Sequence, residues 1–170
     1  MNTELIQALQ DSSAELIAAA QSIPEALTKT KPAPDKWSAL DCVEHIVITE
    51  GRFFGWLENP QPDPAPPENK DKEAMIAQRL SSRDQKAQAP EPARPTGRFA
   101  TLDEALDEFR LRRTHTIQFA LEKGAGLYAI STKHPLFGPV NGAELVCMMA
   151  AHSRRHAAQI REIKEALLLG

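Results

Sequence analysis

The sequence predicts an all-α protein, a four-helix bundle with long proline-bearing loops and one short extra helix. Three observations predict it. Four segments carry apolar side chains at helical spacing, and nothing shows sustained strand alternation. Each segment is punctuated by capping residues, glycine or proline. The four are of similar length, roughly 30 Å each as helices, so they match well enough to pack as one bundle.

The first helix is expected over about Thr3 to Ile23, with Leu5, Leu9, Ser12, Leu16, Ala20 and Ile23 on one side and Pro24 closing it. The second is expected over about Ser38 to Leu57. Ser38 at its start, Asp41 three residues on and Trp37 before it resemble a capping box beside an apolar flank. Pro60 ends it, and the stretch PQPDPAPP that follows reads as a stiff extended linker. A short helix is expected around Asp71 to Leu80, on the apolar side formed by Met75, Ile76 and Leu80. A second proline-bearing loop, APEPARPTG, spans 89 to 97. Loops of this length in a compact domain serve as lids or pocket walls, or are tolerated insertions.

The third long helix is expected over about Thr101 to Lys123, with Thr101 and Glu104 as another capping box and Gly124 and Gly126 as its stop. Leu102, Leu106, Phe109, Thr116, Ile117 and Ala120 form its core stripe. Arg113 falls on that stripe as well. Its aliphatic stem is expected to snorkel, the alternative being a charge aimed at an anionic ligand. The fourth is expected over about Asn141 to Leu168, after a turn-rich connection, KHPLFGPVNG. The helix order is open at this point, and no internal repeat is present.

A length of 170 residues suits one domain, 1–170, with a single sizeable core. The formal net charge of -3 leaves no basic footprint, which argues against a nucleic-acid partner. No apolar run approaches the ~20 residues of a membrane span, and the N-terminus does not read as a signal peptide, so a cytoplasmic protein is expected. The two cysteines, Cys42 and Cys147, lie far apart and form no Cys-x-x-Cys motif; they read as buried thiols.

The chemistry concentrates in the last helix, MMAAHSRRHAAQI. His152 and His156 are four residues apart, which puts them one turn apart on one face. Stepping ~100° per residue, that face is also the one bearing Leu145, Met149, Ile163 and Leu167, with Arg154, Arg161, Lys164 and Glu165 opposite. Both histidines therefore point where the pattern calls for Leu or Ile. A buried imidazole must satisfy both ring nitrogens. A divalent metal with a second acceptor behind each ring does so, as does a carboxylate or water. His45, at the edge of the second helix's apolar arc on the side of Thr49 and Trp56, is the best candidate for a third ligand. His115 lies off its apolar stripe and reads as solvated. His134, before Pro135, reads as a turn residue. Gln159 shares the face of His156 and is a candidate second partner or pocket wall.

Trp37-Ser38, Glu44-His45-Ile46, His134-Pro135-Leu136-Phe137-Gly138, and Ala151-His152 through His156 to Gln159-Ile160 resemble, in order and spacing, the DinB/YfiT-like superfamily. The resemblance covers most of the chain. It implies a four-helix bundle, typically up-down-down-up, with a metal site near one end, often in a homodimer. The family's triad of metal ligands maps onto His45, His152 and His156, all intact here. The resemblance implies a divalent ion among Ni, Zn, Fe and Mn, and relatives that include bacillithiol- and mycothiol-dependent transferases.

Three neutral imidazoles leave a coordination position open, where a metal lowers the pKa of water or of a thiol. Two function classes follow. One is a metal-dependent enzyme acting on a small molecule, either a thiol S-transferase (bacillithiol, mycothiol or glutathione type) or a hydrolase. The other is a metal-stabilised bundle that binds a small ligand or partner without turnover. A zincin-type peptidase needs a glutamate directly after its first helix histidine, and Ser153 stands there instead. Glu44 is a weak candidate base, because neighbouring helix residues diverge by ~100°. No catalytic base is assigned.

Overall fold

Thr3–Gln21 (α1), Ala39–Glu58 (α2), Leu102–Lys123 (α4) and Gly142–Leu169 (α5) are the four long helices of the computed structural model, which describes residues 2–84 and 88–169. A shorter helix, α3 (Lys70–Ser81), lies between α2 and α4 in the chain.

The capping residues act as their chemistry dictates. Ser38 Oγ accepts from Asp41 N at 3.1 Å, and Asp41 Oδ2 accepts from Ser38 N at 2.9 Å. Thr101 and Glu104 repeat the exchange at the start of α4. Asn141 Oδ1 accepts from Glu144 N at 2.9 Å, while Glu144 Oε2 accepts from Asn141 N at 3.1 Å. Each exchange satisfies donors that a helix N-terminus leaves orphaned. Gly124, at φ +49, ends α4.

α1 packs against α4 and α5, α2 packs against the same two helices, and α3 lies on α5. The core has two parts. Leu16 and Ala20 of α1 meet Val43 and Ile46 of α2, Leu106 and Phe109 of α4, and Ile160 and Ile163 of α5. In the other part, Leu5 and Leu9 meet Leu57, Ala120, Leu145 and Met149. Each fully buried Val, Leu, Ile, Phe or Met side chain among them contributes about 1.5–3 kcal/mol.

Arg113 does not snorkel. It is 1% exposed in the bundle centre. Its Nε donates to Glu50 Oε1 at 2.7 Å and its Nη2 to Glu50 Oε2 at 2.9 Å. Nη1 donates to Leu9 O and Ser12 Oγ, and Nη2 also to Ser153 Oγ. Internal partners exist for every guanidinium N–H, so the head has no need to reach water. Nor does its charge face a ligand pocket, since Glu50 neutralises it.

The absence of strands is also corrected. Ser131–His134 (β1) and Gly138–Asn141 (β2) pair as an antiparallel hairpin, with Ser131 opposite Asn141 and His134 opposite Gly138. Strands of four residues are too short for an alternating pattern to stand out. Gly138, at φ +68, supplies the left-handed turn residue. His134 does serve the turn, its Nδ1 accepting from Leu136 N at 3.1 Å and Phe137 N at 3.4 Å. The linker after α2 is pinned by this region, through Gln61 N to Ser131 O and Asn141 Nδ2 to Pro66 O. Among the described residues no helix is long and apolar enough to cross a membrane.

Candidate metal centre

The structure brings His45 of α2 together with His152 and His156 of α5. Among the described residues they form the one cluster of metal-ligating side chains. His45 and His156 are 4% and 5% exposed, and His152 is half-buried. His45 Nε2 lies 3.1 Å from His152 Nε2, which lies 3.1 Å from His156 Nε2.

The proton of His45 can be placed from its partner. His45 Nδ1 is 2.5 Å from the carbonyl oxygen of Ala93, which only accepts, so the proton sits on Nδ1 and Nε2 holds a lone pair. Thr49 Oγ1 donates to the backbone carbonyls of His45 or Ile46, at 3.0 and 3.1 Å. A hydroxyl both donates and accepts, so Thr49 suits either tautomer of His152, whose Nδ1 lies 3.3 Å away. The Nε2 atoms of His45 and His152 face each other across 3.1 Å. In the metal-binding tautomer both carry lone pairs and a cation would sit between them; in the other, His152 Nε2–H donates to His45 Nε2. Two nitrogens bound to one ion at ~2.0–2.1 Å sit roughly 3.3 Å apart at tetrahedral angles, near the observed spacing. His156 Nδ1 is buried without a hydrogen-bond partner. The residues present fit a divalent ion.

Electrostatics point the same way. Burial lowers the pKa of His45, partly offset by its bond to Ala93. It drives His152 and His156 well below the ordinary histidine value, with further lowering from the neighbouring histidines and from Arg155. All three rings are therefore neutral at neutral pH, the form in which imidazole binds metal.

Aromatic rings line both sides. Trp37 lies 4.9 Å from the His45 ring centroid and stacks on His156 at 6.1 Å. Phe53 lies 6.5 Å from His152 and 5.2 Å from Trp56. The half-buried His134 ring sits at 5.8 Å from Phe53 and 6.1 Å from Trp56, so it borders this wall as well as closing its turn. His115 is exposed on α4, lines the surface cleft beside Gly51 and is not one of the clustered histidines. Gln159 is half-buried and accepts from Arg83 Nη1 at 3.4 Å rather than supporting a histidine.

Glu44 cannot serve as a base. It is 1% exposed, and its carboxylate accepts from Thr96 N, Thr96 Oγ1, Gly97 N and Arg98 N. Four donors fill its lone pairs. The residues behind the triad were not all legible beforehand. Thr49, four residues after His45 on the same helix, carried a usable signal. Ala93 carried none, since it acts through its backbone carbonyl.

The family model described as the DinB superfamily matches residues 8–160. No curated protein matches the chain. Among solved structures it is similar to YfiT from Bacillus subtilis, described as a probable metal-dependent hydrolase with an unusual four-helix bundle topology. The two share 15% identity over 97% of this chain and 86% of that one, with a TM-score of 0.62. At that identity the likeness shows a shared four-helix bundle fold. The family match spans most of the chain, including all three clustered histidines, and the chain belongs to the DinB superfamily.

Proposed function

We propose that this protein is a metal-dependent enzyme in which His45, His152 and His156 hold one divalent ion, among Ni, Zn, Fe and Mn, and which acts on a small molecule as a hydrolase or a thiol S-transferase. One observation carries the reading, the convergence of the Nε2 atoms of His45, His152 and His156, each 3.1 Å from the next. When bound, the ion supplies Lewis acidity that lowers the pKa of a water or a thiol and polarises an electrophile.

The chain's own residues do the rest. Ala93 sets the tautomer of His45, and Thr49 lies against His152 Nδ1 and orients its ring. Trp37 and Phe53 flank the rings, and Phe53 and Trp56 form an apolar wall beside His152. Hydrolysis is favoured by the description of YfiT. The transfer reading requires an external thiol. Burial pushes the Cys42 thiol far up and Cys147 up to about 11, so neither supplies a thiolate at neutral pH.

An up-down-down-up order is part of the proposal. It is supported by the core, where the C-terminal half of α1 meets the N-terminal halves of α2 and α4 and the C-terminal half of α5. We further propose a single domain, a cytoplasmic homodimer and a low-molecular-weight thiol as one candidate substrate.

The test is metal analysis of the purified protein, followed by turnover assays on ester substrates and on a chlorinated aromatic with bacillithiol, mycothiol or glutathione. Bound metal with turnover in either assay supports the proposal. Stoichiometric metal without turnover in any of them favours a ligand-binding bundle. Absence of metal, with stability unchanged by chelation, overturns the site itself.

A further inference from the structure

Two consecutive residues of α2 hold the same loop. Glu44 accepts from three successive backbone N–H groups, those of Thr96, Gly97 and Arg98, at 2.6, 3.2 and 3.2 Å. Gly97 has φ +78, the left-handed conformation that turns successive N–H groups toward one point. The loop thus forms an anion nest, and its anion is the buried Glu44 carboxylate. Three residues upstream of Thr96, the carbonyl of Ala93 accepts from His45 Nδ1. Ala93 is itself 2% exposed and held by a bond from its N–H to Pro90 O at 2.9 Å.

The loop's other anchors include the buried Ala93 and the packing of Phe99 on the core. From 88 to 100 its regular structure is a single 3-10 turn, Glu91–Ala93. Its register on α2 therefore depends on the nest. The Ala93 carbonyl, in turn, is what confines the His45 proton to Nδ1 and leaves Nε2 as a ligand.

We propose that Glu44 is a positioning residue for His45, acting through the 93–98 loop, so that a carboxylate touching neither metal nor substrate sets the tautomer and orientation of a metal ligand. The proposal rests on the three-histidine metal reading for its effect on affinity, but its effect on the tautomer is readable without metal. Glu44→Gln is nearly isosteric. It replaces one carboxylate oxygen by an NH2 group, which then faces N–H donors of the nest. The loop loses its anchor and the Ala93 carbonyl loses its place.

The test uses the full chain as wild type, Glu44→Gln, Gly97→Ala and Thr101→Ala. Gly97→Ala disturbs the nest without touching α2, because an added Cβ meets nothing within 4 Å and only the positive φ is strained. Thr101→Ala removes the α4 cap just past the end of the loop, a destabilisation that leaves Glu44, the three nest N–H groups and Ala93 untouched. In metal-free protein, 15N NMR of the imidazoles should show His45 protonated on Nδ1 in the wild type and in Thr101→Ala. A mixture of tautomers is expected in the two nest variants. Competition titration with Zn2+ should show affinity about 10- to 100-fold lower in Glu44→Gln, lower in the same direction in Gly97→Ala, and within about twofold of wild type in Thr101→Ala.

Wild-type His45 tautomer and Zn2+ affinity in Glu44→Gln would overturn the proposal, as would an equal loss in Thr101→Ala. If Glu44→Gln does not fold, the same readings on Gly97→Ala decide. If wild type binds no Zn2+, Ni2+, Fe2+ or Mn2+, the metal reading fails instead, and the tautomer measurement still decides whether Glu44 positions His45.

Discussion

Arg113 of α4 and Glu50 of α2 meet as a two-pronged ion pair, Nε to Oε1 at 2.7 Å and Nη2 to Oε2 at 2.9 Å, each side chain 2% exposed. Ser12 of α1 and Ser153 of α5 bond to the same guanidinium, so one buried group touches all four long helices. Glu50 follows Thr49, and Ser153 follows His152, which places this network directly beside the residues that orient the candidate ligands.

Removing one partner leaves the other charge buried. Arg113→Met should therefore destabilise the protein by about 3–5 kcal/mol, seen as a lower urea midpoint. The double variant Arg113→Met with Glu50→Leu should recover much of that loss, since a buried pair replaced by packed apolar side chains is often nearly neutral. A double variant no more stable than the single one would show that the pair contributes net stability.

Each ligand prediction stands alone. His152→Ala and His156→Ala should abolish metal binding, and His115→Ala should leave it intact, as read by metal content per chain. Stoichiometric metal in His45→Ala would show that the third ligand is another residue.

Thr49→Val keeps the shape of the side chain and deletes the hydroxyl that bonds to His152 Nδ1. Metal affinity should fall about 10-fold or more by competition titration. An unchanged affinity would mean that packing alone orients His152.

Acid should destabilise the metal-free protein through the triad. The pKa values of His45, His152 and His156 are lowered in the folded state, chiefly by burial. The unfolded chain therefore takes up more protons than the native one once pH drops below about 6.5. Stability from this source is complete above that pH and declines as pH falls toward the lowered folded values. Thermal midpoints of metal-free protein measured from pH 8 to pH 5 should fall with pH, and the slope should lessen in His152→Ala. A midpoint flat across that range in wild type would contradict the burial of neutral imidazoles.

The sequence by itself determined the helices and singled out the three histidines of the candidate site. Leu5, Leu9, Ser12 and Leu16 recur at helical spacing, and Ser38, Thr101 and Asn141 mark helix starts, because periodicity and capping are local properties that neighbouring residues carry. His152 and His156 were placed on an apolar face for the same reason. Only the tertiary structure decided what depends on contacts between distant segments. It paired Arg113 with Glu50 across 63 positions, where the stripe alone suggested snorkelling. It formed the Ser131–Asn141 hairpin, whose strands are too short to show a pattern. It also set the Ala93 carbonyl on His45 across 48 positions. A backbone carbonyl is the same in every residue, so no side-chain pattern could announce it.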